Sequence, residues 1–230
     1  GCINCPAGTQ NDFGDNPTAV TRNNVDNCEV CPSGRYKAVS DGAQCGGCEV
    51  GRFRYHSTDG QESQSGAVAT DCTTCGLHQF QDETYKAACK PCAAGLENLD
   101  VGTVSKHDSS TDCTGCRSGK YNPNPNASCI DCPKGRHRAI HSDDESTGKF
   151  GNRSDNIEDC DICLRGTYTG LTGMTFCSIC NFGRYTDQTE QGTCKQCIPG
   201  KYLPDPAQNA ADHNNELDCI VCQYGKYSSS

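Results

Sequence analysis

Eleven C-x-x-C pairs, beginning at Cys2, Cys28, Cys45, Cys72, Cys89, Cys113, Cys129, Cys160, Cys177, Cys194 and Cys219, account for all 22 cysteines of the chain. The stretches between them alternate in length. Long spacers hold 22, 23, 20, 27 and 21 residues; short ones hold 13, 13, 12, 13 and 13. One long and one short spacer give a period of 41 to 47 residues, counted from Cys28 to Cys72, Cys113 and Cys160, and an extra short module from Cys180 to Cys194 stretches the next step to 59. A fixed period of this size marks a repeat array rather than a globule. The spacing divides the chain into a partial first module at 1–27, repeats at 28–71, 72–112, 113–159 and 160–218, and a partial last module at 219–230.

Little else could hold such a chain together. There is no Trp and one Met, while 25 Gly and 10 Pro interrupt any regular element. With nearly one residue in ten a cysteine, the composition is that of a disulfide scaffold. The expected fold is small and disulfide-rich: an elongated tandem array of short β-hairpin and loop modules, with little regular secondary structure and no single hydrophobic core. A net charge of -9 argues against nucleic acid and anionic membranes as partners. The one basic cluster, Lys134, Arg136 and Arg138, runs into Asp143, Asp144 and Glu145 and reads as a solvated loop. No apolar run reaches the roughly 18–20 residues of a membrane span, so no direct insertion of this segment is expected. Gly1 is not a natural start, which suggests a processed or excerpted chain.

Each module carries the same small grammar. Three residues after the second cysteine of each pair stands a glycine, except after Cys75. Five residues after it stands an aromatic: Tyr36, Phe53, Phe80, Tyr121, Tyr168, Tyr185, Tyr202 and Tyr227. Gln10, Glu97 and His137 are the exceptions, all in long modules. The glycine permits a positive φ or a close backbone approach. The aromatic is expected to pack on the neighbouring disulfide, as the largest apolar surface available. Short modules read as hairpins, with Asp41-Gly42 as a tight turn. Every long module ends with Asp or Asn before its cysteine (Asn27, Asp71, Asp112, Asp159 and Asp218), where an Asx side chain can bond N–H groups two residues on. One such oxygen per module is too few for calcium. Two sequons, at Asn126 and Asn152, fall on loops and are candidate N-glycan sites.

Three chemistries compete for C-x-x-C. A redox motif needs a thiolate at a helix N-terminus beside a strand–helix unit, which this chain does not offer. Zinc is the serious rival, because two C-x-x-C pairs about 12–13 residues apart approach ribbon spacing. An odd number of pairs leaves one without a mate, and the long spacers overshoot. Disulfides are favoured, and with them an oxidising compartment outside the cytosol. In the favoured ladder scheme the second cysteine of each pair joins the first of the next: Cys5–Cys28, Cys31–Cys45, Cys48–Cys72, Cys75–Cys89, Cys92–Cys113, Cys116–Cys129, Cys132–Cys160, Cys163–Cys177, Cys180–Cys194 and Cys197–Cys219. Only Cys2 and Cys222 are then unpaired. An interlocked scheme, Cys28–Cys45 with Cys31–Cys48, remains open but strands a whole pair. Loop closure by a bridge does not by itself offset the entropy of ordering a loop, so modules must also pack on their neighbours.

The runs C-P-S-G-R-Y…C-G-G-C, C-R-S-G-K-Y…C-I-D-C and S-S-T-D-C-T-G-C resemble the ephrin-receptor-like cysteine-rich repeat, over essentially the whole chain. The short modules are also similar to the first loop of tumour-necrosis-factor-receptor modules, in which the cysteine before G-x-Y pairs with the next one. That resemblance implies Cys31–Cys45, Cys116–Cys129, Cys163–Cys177 and Cys180–Cys194. The long modules lack the receptor's interior cysteines, so its ligand binding does not carry over. Catalysis finds no footing: His56, His78, His107, His137, His141 and His213 are scattered over loops without a nucleophile or phosphate-binding motif. His137 and His141 have i, i+4 spacing on a non-helical segment, a weak metal signal. The expectation is a non-catalytic structural segment of a secreted or cell-surface repeat glycoprotein, part of a filament, hair or coat. It would carry no cofactor beyond N-linked glycans, and its partners would be itself or neighbouring repeats. The alternatives are a receptor ectodomain that captures a protein ligand, and a zinc-binding repeat protein.

Overall fold

The computed structural model describes residues 3–11, 28–55, 72–139 and 154–228. It consists of small hairpins, each closed by one disulfide. The chain divides into two compact units, Gly1–Ala93 with Asn98–Cys113, and Ala94–Glu97 with Thr114–Ser230.

The hairpin that starts at Cys31 shows how the residues build a module. Pro32 to Arg35 form a turn in which the Arg35 N–H donates to the Pro32 carbonyl at 3.1 Å. Gly34 sits at its third position with a φ of 77°, the left-handed value that favours glycine. Arg35–Tyr36 then pairs antiparallel with Gly46–Gly47, the dipeptide inside the next C-x-x-C. The Cys48 N–H extends the ladder by donating to the Gly34 carbonyl at 2.8 Å. Cys31–Cys45 ties the two strands together. Each C-x-x-C from Cys28–Cys31 to Cys194–Cys197 therefore closes one module and opens the next: its first cysteine and its central dipeptide, the return strand, complete one hairpin, and its second cysteine begins another. Two-residue strands have no independent stability, which is why every hairpin needs its bridge.

The same pattern repeats from Thr9–Gln10 pairing with Glu29–Val30 to Lys201–Tyr202 pairing with Ile220–Val221. The short-module strands are joined by open loops rather than by a tight hairpin turn. Around Asp41-Gly42 the Asp41 carboxylate instead accepts the Ala43 N–H at 3.0 Å, and the Asp41 carbonyl accepts from Lys37 Nζ at 2.7 Å. The reason is length: two-residue strands leave nine residues between Tyr36 and Gly46. Long modules add 3-10 turns, at Val104–Lys106, Ser110–Asp112, Ile157–Asp159, Ala210–His213 and Glu216–Asp218. No described segment is an α-helix, and none is a helix long and apolar enough to cross a membrane.

No single core forms. Among the described residues the buried apolar ones are almost all cysteines, joined only by Tyr185 and Leu203. Most of what else is buried between modules is polar, and it recurs at one position.

Candidate functional site: the junction between modules

The junction is built from the turn residue of one module and the residue six places after the second cysteine of the next. In the first unit, the N–H groups of Gly8, Gly34, Gly51 and His78 donate to the carbonyls of Lys37, Arg54, Gln81 and Asn98, at 2.7–2.8 Å. In the second unit, Gly95, Gly119, Gly135, Gly166 and Gly183 donate to Asn122, Arg138, Thr169, Thr186 and Leu203 at 2.8–3.1 Å. The sixth residue passes the ladder on. The N–H groups of Gln81, Asn122 and Thr186 donate to His107, Ser154 and His213, and those of Arg54, Arg138 and Thr169 to Lys86, Met174 and Gln191.

All of these sixth residues are buried. Except for Leu203, their side chains are polar and bond to neighbouring backbone, as buried polar groups must. Arg54 reaches back to the carbonyls of Cys31 and Arg35 at 3.0 and 2.9 Å. Arg138 does the same two repeats on, to Cys116 at 2.8 Å and Arg117 at 3.2 Å. Asn122 Nδ2 donates to Leu96 and Ala127, at 3.1 and 2.8 Å. The cluster read as a solvated loop is thus divided. Arg136 lies in the strand Arg136–His137, paired with Glu190, which raises its pKa, and Arg138 is buried because its guanidinium caps the preceding hairpin.

A third layer of contact reaches the module beyond the next. A Cβ added at Gly34 would lie 2.3 Å from the Tyr85 carbonyl, at Gly119 2.1 Å from that of Gly173, and at Gly166 2.0 Å from that of Ala210. The one module without the glycine carries His78 there, with a φ of 60°. The position demands the left-handed conformation, and a histidine adopts it.

In four described modules the fifth residue reaches the bridge of the next. Tyr185 packs with Leu203 and with Cys197 and Cys219, which form that bridge. The aromatics are otherwise only half-buried, and Tyr202 and Tyr227 are exposed. The three non-aromatic exceptions replace packing by a hydrogen bond to the next closing cysteine. Gln10 Oε1 accepts the Cys45 N–H at 3.0 Å, and Glu97 Oε2 accepts the Cys129 N–H at 2.8 Å. His137 Nδ1 lies 3.1 Å from Cys177 Sγ.

The structure brings together Cys5–Cys28, Cys31–Cys45, Cys48–Cys72, Cys75–Cys89, Cys92–Cys113, Cys116–Cys129, Cys132–Cys160, Cys163–Cys177, Cys180–Cys194 and Cys197–Cys219, with Cα–Cα distances of 5.6 to 5.9 Å. Cys222 is a free, half-buried thiol; Cys2 lies outside the described residues. Asn126 is exposed on the loop closed by Cys116–Cys129, with a φ of 58°, while Asn152 lies outside the described residues. So do Asn27, Asp71, His56 and His141. Asp112, Asp159 and Asp218 reach backwards rather than forwards. Their carboxylates accept the N–H of Ser109, Asn156 and Asn215, which return the favour to the turn, forming three capping boxes.

Of the described histidines, His137 is half-buried, and His78, His107 and His213 are buried. His107 Nδ1 contacts the Gln79 carbonyl at 2.8 Å, and His213 Nδ1 the equivalent Arg184 carbonyl at 2.7 Å, each one module back. His213 Nε2 also meets Asp205 at 2.8 Å. Burial works against the charge of Asp205, but the bonds from His213, Gln208 and Asn209 outweigh it and hold its carboxyl below the usual range. Among the described residues one group has metal-like geometry: the ligand atoms of His137, Cys163 and Cys177 lie within 4.8 Å of one another. Two of them are joined as a disulfide, so no thiolate is present to ligate. Compared with models of known protein families and with curated proteins, the chain matches none.

Proposed function

We propose that this chain is a non-catalytic structural segment of a secreted or cell-surface cysteine-rich repeat glycoprotein that forms part of a filament, hair or coat, of the ephrin-receptor-like repeat type. The observation that carries the reading is the junction itself. The same backbone bonds, buried sixth residue and bridge recur from module to module, so the polypeptide invests its polar chemistry in holding neighbours together. Of the buried histidines, His107 and His213 each hold a backbone carbonyl one module back, which fits a structural role. A bridge in every hairpin fits an oxidising, extracellular setting. Exposed Asn126 fits the glycoprotein reading. Tandem units offering one repeated face suit lateral or end-to-end association.

Electron microscopy of the intact, unreduced protein tests this. Ordered filaments or sheets are expected, and isolated monomers at every concentration would overturn it. Non-reducing peptide mapping with metal analysis separates the zinc alternative, which requires free thiols and stoichiometric zinc.

A further inference from the structure

We infer that Cys163–Cys177 is the exchangeable bridge of the array: a site at which a dithiol opens the chain of disulfides, directed there by His137. Four bridges have a half-buried cysteine, Cys28, Cys89, Cys177 or Cys194, so access alone does not single one out. The neighbour does. Gln10 and Glu97, at the same module position as His137, bind the backbone N–H of the closing cysteine. His137 addresses the sulfur. A bridged sulfur carries no hydrogen, so Nδ1–H is the donor. That bond strengthens when the sulfur becomes an anion, because hydrogen bonds to charged acceptors are roughly twice as strong as neutral ones. Cys177 also lines an open groove of about 720 Å³ with Ile162, Leu164, Arg165 and Phe176, which lets a reductant reach it, whereas Cys163 is buried.

The chemistry closes without further reactants. One thiolate of the dithiol attacks Cys177 Sγ to form a mixed disulfide, and the S–S electron pair leaves on Cys163, which takes a proton. The second thiolate attacks the dithiol's own bridged sulfur, closing its ring as a disulfide, and Cys177 leaves as a thiolate onto the His137 N–H. The dithiol is oxidised by two electrons and the bridge reduced by two. Cys163 stays beside the mixed disulfide and can re-close the bridge, so the second displacement, in which Cys177 leaves, sets the net rate, and a leaving thiol stabilised as its anion leaves faster.

The chain contains its own controls. Cys75–Cys89 and Cys180–Cys194 span the same sequence separation of 14 as Cys163–Cys177 and also close on a half-buried cysteine, but the preceding modules place Phe53 and Tyr168 where His137 stands. The test is graded reduction of the whole folded chain with dithiothreitol, alkylation, and mapping of the labelled cysteines. Cys163 and Cys177 are expected to label first, roughly tenfold faster than either control, from the worth of a hydrogen bond to a charged group. His137→Phe should bring the rate down to that of the controls. So should His137→Gln, which copies the side chain of Gln10 and guards against a packing artefact. Equal rates for the three bridges in the wild type would overturn the inference, and so would an undiminished lead in both variants. The outcome does not depend on whether the protein assembles into filaments.

Discussion

Gly119→Ala places a methyl group 2.1 Å from the Gly173 carbonyl oxygen, where ordinary contact is 3.4–4 Å, at a φ of +76°. Two costs follow, and the structure separates them. The left-handed backbone alone costs alanine roughly 1–2 kcal/mol. The overlap cannot be kept, so the loop carrying Gly173 must retreat by more than an ångström. That strains the bond from Gly173 N–H to Cys132 at 2.9 Å and the bond from Arg138 N–H to Met174 at 3.0 Å. Each is worth about 1 kcal/mol net, so the total expected is about 3–4 kcal/mol. Gly183→Ala is the matched control: φ is +65°, but nothing lies within 4 Å of the added methyl, so only the backbone cost of roughly 1–2 kcal/mol remains. Arrays of this kind open locally, so native-state hydrogen exchange with the bridges intact is the right assay. The reporters are the Cys132 and Cys197 amides, which donate to Gly119 and Gly183 at 2.8 Å. If the two substitutions lower protection equally, contact with the module beyond the next contributes nothing and the junction argument fails.

Arg138→Met should lower exchange protection of the Gly119 amide by about 1–3 kcal/mol, because the carbonyls of Cys116 and Arg117 lose a charged donor in a buried place; unchanged protection would mean that water replaces it freely. Asp159→Ala should cost about 1 kcal/mol locally through loss of its capping box, and the wild-type turn should show no stabilisation by added calcium. The depressed carboxyl of Asp205 contributes stability that is complete above the ordinary aspartate value near 3.9 and is lost as pH falls through its lower folded value. The Thr186 amide, bonded to the His213 carbonyl, should therefore lose protection in acid, and Asp205→Asn should flatten that dependence. Glu83 is held down to about 2 by hydrogen bonds from Lys86 and Lys90; because the cluster is exposed, high salt should move its NMR titration back towards the ordinary glutamate range.

Much of the hairpin level was legible in the sequence. Counting favours the ladder without proving it, since joining the second cysteine of each pair to the first of the next strands only Cys2 and Cys222. The glycine rule was visible too, although its strictness was not: His78 shows that the conformation outranks the residue type. The junction was harder to read, for a physical reason. Attention goes to Tyr36, Phe53 and their counterparts because aromatics carry apolar area, whereas the neighbours Lys37, Arg54, Asn122 and Arg138 look like solvated residues. In a fold without an oily interior, burial falls on groups that can satisfy a backbone, and a hydropathy pattern is blind to that. The capping boxes had a usable signal, Ser or Asn three places before the Asp that precedes a cysteine, as at Ser109, Asn156 and Asn215. Nothing in the spacing of His107 and His213 showed that each would be drawn one module back.

Tension applied to the two ends of this chain would never reach most of its residues. With the bridges shut, the covalent route passes through three peptide links of each C-x-x-C, about 10 Å when taut, and then crosses sulfur to the next pair over a Cα–Cα distance of 5.6 to 5.9 Å. Everything in the loops hangs beside that route, unstretched. Once taut, such a tether lengthens no further while the bridges hold. Each bridge that opens would pay out its stored loop as slack, so a single exchangeable link is also a fuse.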